Sequence, residues 1–240
     1  MQVVALVTCF NKVQQIGRVV DKLLECHEVD TIVIYDDCST DGSQCVLMKL
    51  SEHERIEILL GQKNLGVSEA RNILLRQFSE NKIVVLVDGD DTVIPVEKDQ
   101  QIQIFKSKSE LVFSYSDYCR ERDDRSKHIV AQPFDYQRLK KYNYIPFSSV
   151  VTRLPLEFKK VHHEDYLCWL ELLSGVESKK IYYYPTPTFK YKENRESLSG
   201  NPWKGLIGTM KVKRIHCISW HQVFSGLFGY VLEALKKRFF

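Results

Sequence analysis

Residues 83–91 read Ile83-Val84-Val85-Leu86-Val87-Asp88-Gly89-Asp90-Asp91. The unbroken aliphatic run, mostly β-branched, predicts a strand buried on both faces. Three carboxylates follow at its C-terminal end, and adjacent anions repel unless something positive joins them. A divalent cation held by carboxylate oxygens and shared with phosphate groups would relieve the repulsion. A solvated acidic turn closing the strand is the plainer alternative, and the rest of the chain chooses between them.

Upstream, short apolar strands alternate with helical patterns. Strands are expected over residues 3–8, Thr31–Asp36 and Ile56–Leu60, before the strand at 83–87. Residues 11–25 carry apolar positions at helical spacing (Val13, Ile16, Val19, Val20, Leu23, Leu24), and residues 68–78 form another helical stretch. Ser39-Thr40-Asp41-Gly42 offers an N-cap for a helix running to Leu50. This alternation predicts an α/β fold: a Rossmann-like, doubly wound, mostly parallel sheet with helices on both faces. Such sheets bind ligands beyond the carboxyl ends of their strands. Three polar clusters fall there: Thr8-Cys9-Phe10-Asn11, Asp36-Asp37-Cys38-Ser39 and the Asp88 cluster. Their convergence on one crevice turns the acidic turn into a site. Two adjacent carboxylates at a buried strand end need partners, although Ser39 and Asp41 also suit a helix cap.

Asn64-Leu65-Gly66-Val67-Ser68-Glu69-Ala70-Arg71-Asn72 is a glycine turn into a helix, a place that suits an anion. Arg71 can there reach a phosphate or pair with an aspartate. Beyond residue 113 the pattern loosens. Strands are expected at 111–115, 146–151 and 181–184, a charged turn or loop at 119–127, and a short helix near 136–142. His163-Glu164-Asp165-Tyr166 opens a helix running to Leu173, whose Trp169 reads as core.

The chain has 240 residues and a net charge of +3, enough length for one substantial core. Seven cysteines without a C-x-x-C pair favour free thiols in a reducing cytosol over a disulfide framework or a zinc site. The first residues read as a strand and not as a secretory signal. The charge is uneven: residues 203–240 carry seven cations and one anion, which leaves the first 202 residues at −3. Within that tail, Trp220, Val223, Phe224, Leu227, Val231 and Leu235 fall near one helical face. Lys211, Lys213 and Arg214 flank it on one side, and Lys236, Lys237 and Arg238 on the other. Residues 201–240 therefore read as a basic amphipathic helical tail lying on an anionic membrane surface, with a helix docked on the domain or forming a dimer as the alternative.

Four motifs occur in order: Val7-Thr8-Cys9-Phe10-Asn11, then Asp36-Asp37-Cys38-Ser39-Thr40-Asp41-Gly42-Ser43, then Asn64-x-Gly66 through Asn72, then Asp88-Gly89-Asp90-Asp91. Together they resemble the family 2 glycosyltransferases of the GT-A fold, in particular those building bacterial surface polysaccharides. The resemblance spans about residues 1–200, with 1–115 as the nucleotide-sugar-binding half and 116–200 as the acceptor-binding half. It implies inverting transfer of a hexosyl group from a nucleotide-diphospho-sugar, most often a UDP-sugar such as UDP-glucose or UDP-galactose, with Mn²⁺ or Mg²⁺. By that likeness Asp37 binds the base with Thr8 assisting, Asp88 contacts ribose or metal, and Asp90 ligates the metal. Asp165 is the general base and Glu164 the runner-up. His163, Lys192 and Arg195 are candidate diphosphate or acceptor contacts. Gly89 departs from relatives that more often carry Ala or Ser there, a change expected to be harmless.

The resemblance and the tail together imply a polyprenyl-diphosphate-linked saccharide acceptor. They also imply a cytoplasmic protein bound peripherally to the inner face of the cell membrane. Nucleic acid is not an expected partner. One rival is a sugar-nucleotide nucleotidyltransferase, but residues 8–18 lack its glycine-rich basic loop. Another is an inactive relative serving as a membrane-bound assembly subunit, yet Asp37, Asp88, Asp90 and Asp165 are all present. The absence of G-x-x-x-x-G-K-[ST] excludes a P-loop hydrolase.

Overall fold

A computed structural model describes residues 1–122, 125–192 and 202–216. Nine strands form one mixed sheet: β1 (Val3–Cys9), β2 (Thr31–Asp36), β3 (Ile56–Leu60), β4 (Ile83–Asp88), β5 (Thr92–Val93), β6 (Phe113–Arg122), β7 (Arg125–Ile129), β8 (Val151–Thr152) and β9 (Ile181–Lys192). The order is β3-β2-β1-β4-β8-β6-β9-β5, with β7 paired to β6. β1 to β4 run parallel, as their aliphatic runs predict; β8 enters antiparallel between β4 and β6.

Side-chain alternation feeds two cores. Val3, Ala5 and Val7 of β1, with Ile83, Val85 and Val87 of β4, face helices α1 (Ile16–Leu24), α2 (Ser43–Leu50) and α4 (Pro95–Ser107). Val4, Leu6, Val84 and Leu86 face α3 (Val67–Phe78), α5 (Tyr136–Lys141) and α6 (Glu164–Leu173). Trp169 is fully buried in this second core, as its reading as a core residue expects.

Several elements differ from the sequence reading. Helix α1 starts at Ile16 and not near Asn11, because the preceding loop is pinned to the β2–α2 loop. Asn11 N donates to Ser39 Oγ (2.8 Å), Lys12 N to Ser43 Oγ (2.8 Å) and Val13 N to Asp41 Oδ2 (3.0 Å). Ser39 and Asp41 thus tie two loops together, and the N-cap of α2 is Gly42 at φ 94°. Residues 146–151 are not one strand: Phe147–Ser149 make a 3-10 turn before the two-residue β8. Of the charged segment, residues 119–122 and 125–127 are paired antiparallel strand, in β6 and β7. Helix α4 escaped the periodicity because Lys98 and Gln101 occupy its buried face. Strand β9 runs through Pro185 and Pro187 by parallel pairing with β6 across register shifts.

Helix α7 (Pro202–Ile215) docks on the domain. Val212 and Lys213 are buried, and Lys213 Nζ donates to the Lys141 carbonyl at 2.7 Å. Lys213 is therefore not part of an outward-facing basic cluster: burial draws its ammonium inside, against a helix-end carbonyl. The apolar tail positions from Trp220 to Leu235 lie outside the described residues. Among the described residues no helix is long and apolar enough to cross a membrane.

Candidate active site

Pairing of β1 with its neighbours sets Thr8 beside Asp88 and Cys9 beside Asp36, at the carboxyl ends of adjacent strands. The acidic turn folds back onto β1: Gly89 N donates to the Thr8 carbonyl at 3.1 Å. A Cβ on Gly89 would sit 2.5 Å from that oxygen, so glycine fits this close approach. Asp91 turns inward, buried, and accepts from Ser148 Oγ at 2.7 Å, while Ser148 Oγ accepts from Asp88 N at 3.0 Å. Burial holds the Asp91 carboxyl well above the usual carboxylate range. Beneath, the fully buried Lys98 donates to the Ser148 carbonyl at 3.1 Å, and burial brings its ammonium down to about 7.

Asp88 and Asp90 stay open to the crevice, with side-chain exposures of 30% and 37%. Asp90 is ion-paired with Lys12 of the β1–α1 loop. Two carboxylates at a strand end are the donor set that suits Mg²⁺ or Mn²⁺ completed by phosphate oxygens and water. Among the described residues no group of three or more His, Cys, Asp and Glu side chains could hold a metal by itself.

Both aspartates at the end of β2 are buried. Asp37 accepts from Leu65 N and Gly66 N, each at 2.8 Å, so it ties β2 to the glycine turn before α3, where Gly66 takes φ 86°. Asp36 Oδ2 accepts from Ser39 N (2.9 Å) and Gln44 Nε2 (2.8 Å).

Arg71 projects from α3 between the two halves of the site. One terminal nitrogen binds Asp88 Oδ1 at 2.7 Å and the other binds Glu164 Oε1 at 2.6 Å. Its guanidinium carbon lies 3.5 Å from the centroid of the Phe147 ring. At 6% exposure the side chain is held as a bridge, so of the two roles open to it the structure shows the ion pair. Burial raises the Asp88 carboxyl against the opposing pull of Arg71.

Asp165 follows Glu164 in the first turn of α6. Its Oδ1 accepts from Tyr166 N at 2.7 Å and its Oδ2 from Asn143 Nδ2 at 3.0 Å. Burial, assisted by the neighbouring Glu164 charge, pushes its carboxyl up to about 7. It lines a cleft of about 440 Å³ shared with Tyr118, Arg138, Tyr142, Asn143 and Tyr144. A carboxylate with that affinity for protons, at the wall of a cleft, is placed to take a proton near neutral pH.

The sequence profile described as Glycosyl transferase family 2 matches residues 4–163. The chain belongs to glycosyltransferase family 2. An Escherichia coli relative, UDP-Glc:alpha-D-GlcNAc-diphosphoundecaprenol beta-1,3-glucosyltransferase WfgD, is 28% identical over 181 residues, 73% of this chain and 70% of that protein. The putative teichuronic acid biosynthesis glycosyltransferase TuaG of Bacillus subtilis is 25% identical over 221 residues, 86% and 85% of the two chains. Among solved structures, S. aureus TarS 1-349 in complex with UDP-GlcNAc superposes with a TM-score of 0.71 at 15% identity, covering 96% of this chain and 72% of that one. The mannosyltransferase PcManGT from Pyrobaculum calidifontis, with GDP-Man and Mn2+, gives 0.62 at 13% identity, with 98% and 75% covered. These structures establish the GT-A-like fold.

In this family 2 glycosyltransferase Thr8 pairs beside Asp88, Arg71 links Asp88 to Glu164, Asp90 follows at the same strand end, and Asp165 lines the cleft with Asn143. His163 turns away, its Nε2 3.0 Å from the Gly205 carbonyl of α7. Lys192 is exposed at the end of β9, beside Glu121 in the β6–β9 register, and Arg195 lies outside the described residues. Sequence reasoning missed Lys12 and Asn143. Lys12 directly follows the polar cluster at the end of β1, and that adjacency was the available signal. Asn143 carried none, because its contact with Asp165 spans two elements.

Proposed function

We propose that this family 2 glycosyltransferase is an inverting, metal-dependent enzyme of bacterial surface polysaccharide biosynthesis. It moves a hexosyl group from a UDP-sugar to a saccharide linked to a polyprenyl diphosphate. The observation that carries this reading is the Arg71 bridge, which joins Asp88 on the donor side to Glu164, the neighbour of Asp165, on the acceptor side. Donor and acceptor chemistry then meet in one crevice. Residues 1–115 hold the nucleotide sugar and 116–200 the acceptor. The named activity of the WfgD relative supports the UDP-sugar and the lipid-linked acceptor.

In this mechanism Thr8 and Asp37 frame the nucleoside end, and Asp37 also fixes the β3–α3 turn against β2. Asp88 and Asp90 would hold a divalent cation, whose positive charge would offset the negative charge developing on the departing diphosphate. Lys12, already on Asp90, adds a second cation to the same place. Asp165 takes the proton of the acceptor hydroxyl as its oxygen bonds to the anomeric carbon. The bond from that carbon to the diphosphate oxygen breaks on the opposite face, UDP leaves, and configuration inverts. A lipid-linked acceptor brings the enzyme to the cytoplasmic face of the membrane, where the exposed Lys211 and Arg214 can meet anionic headgroups.

The test is UDP release from UDP-glucose, UDP-galactose and UDP-GlcNAc, each with Mn²⁺ and GlcNAc-diphosphoundecaprenol. Turnover with one donor supports the reading. Failure with all three, together with no metal-dependent UDP binding, overturns it.

A further inference from the structure

Helix α7 meets the catalytic domain beside the loop that begins α6, and two glycines make the contact. The Gly205 carbonyl lies 3.0 Å from His163 Nε2, a contact that requires the proton on that nitrogen. A Cβ at Gly208 would fall 2.3 Å from His162 Cδ2 and 2.9 Å from His163 Cδ2, so α7 can approach this closely only as glycine. The two imidazole rings pack together at 4.3 Å between centroids.

His163 is itself in the left-handed conformation, φ 63° and ψ 51°, which few side chains adopt without support. Its side chain does not cap α6, whereas its carbonyl accepts Leu167 N at 3.2 Å and so begins the helix. Its side chain is held instead by the Gly205 carbonyl of α7. The next two residues are Glu164, bound to Arg71, and Asp165 at the acceptor cleft. A chain of direct contacts runs from α7 through His163 and Glu164 to Arg71 and Asp88.

We propose that α7 is a positioning element of the active site: through the His162–His163 pair it sets the first turn of α6 and thereby the aim of Asp165. His163 is then a positioning residue that touches neither donor nor acceptor. The proposal rests on Asp165 being the general base.

The experiment uses the full-length chain with UDP-glucose, Mn²⁺ and GlcNAc-diphosphoundecaprenol, alongside UDP binding and amide hydrogen exchange. His163→Asn tolerates the left-handed backbone but does not reach Gly205, and Gly208→Val pushes α7 off the histidines. Each should lower kcat by about tenfold or more, the scale set by small misplacements of catalytic groups. Mn²⁺–UDP affinity should hold, and the Leu167 amide should exchange faster. His163→Gln, which restores a donor at the Nε2 position, should recover most of kcat. Wild-type kcat and exchange in both disruptive variants overturn the proposal. So does loss of UDP affinity in step with kcat, the mark of general destabilisation. Asp165→Asn separates the two readings: if it retains turnover, the base assignment falls. If it is inactive while the α7 variants run normally, only the positioning role falls.

Discussion

Asn143 Nδ2 donates to Asp165 Oδ2 at 3.0 Å, a contact across 22 residues of chain that joins the end of α5 to the first turn of α6. A donor to a carboxylate favours its charged form. Asn143 therefore moderates the rise that burial and Glu164 impose on Asp165, which stands at about 7. Turnover should fall on the acid side of that value, where Asp165 is protonated. Asn143→Ala should move this acid limb to higher pH, because the ionised form loses a partner. A pH profile of kcat checks both, and an unmoved limb in the variant would show that the contact does not tune the base.

The same group carries a stability signature. Its folded pKa lies above the ordinary carboxylate value, so between about pH 4 and 7 the folded chain binds the extra proton. The contribution of Asp165 to stability should decline as pH rises through that window and stay low above it. Asp165→Asn should remove this slope and melt at a higher temperature than wild type at pH 8, while transfer is abolished and UDP binding spared. Thermal melts of both proteins from pH 5 to 8 provide the comparison.

Arg71 holds two carboxylates from beneath the Phe147 ring. Arg71→Ala leaves Asp88 and Glu164 without their shared cation, a change that costs on the order of 3–5 kcal/mol at a buried pair. Arg71→Lys should recover little, since a single ammonium cannot replace a planar fork that binds two carboxylates at once. Denaturant unfolding measures the loss. A variant as stable as wild type would mean that the bridge is not structural.

Asp90 should be indispensable to metal-linked nucleotide binding. Asp90→Asn should abolish the gain in UDP affinity that Mn²⁺ brings, and EDTA should lower the affinity of wild type to that of the variant. Calorimetric titration with and without metal decides this. Equal Mn²⁺ dependence in the two proteins would remove Asp90 from the metal site.

Gly89→Ala introduces a Cβ 2.5 Å from the Thr8 carbonyl. Because the obstacle is backbone, the turn must move, carrying Asp88 and Asp90 with it. The expected result is weaker Mn²⁺–UDP binding and a loss of stability of about 1–3 kcal/mol. Full retention of both would show that the turn has room the structure does not suggest.

The sequence by itself determined the sheet from β1 to β4 and the strand ends that carry the candidate site. Aliphatic runs and helical spacing are local signals, and parallel strands buried on both faces have little freedom in how they assemble. It also named Asp88, Asp90 and Asp165, whose motifs mark strand and helix ends. Only the tertiary structure decided what those carboxylates touch. The bridging role of Arg71, the inward turn of Asp91, the pairing of Asp90 with Lys12 and of Asp165 with Asn143 all join residues distant in the chain. Helix α4 and the continuation of β9 beyond Tyr184 stayed hidden for a related reason: Lys98, Gln101, Pro185 and Pro187 break the patterns that reveal elements, and packing elsewhere in the fold compensates. Periodicity records which face of an element is buried, whereas the partner of a buried charge depends on where the other elements come to rest.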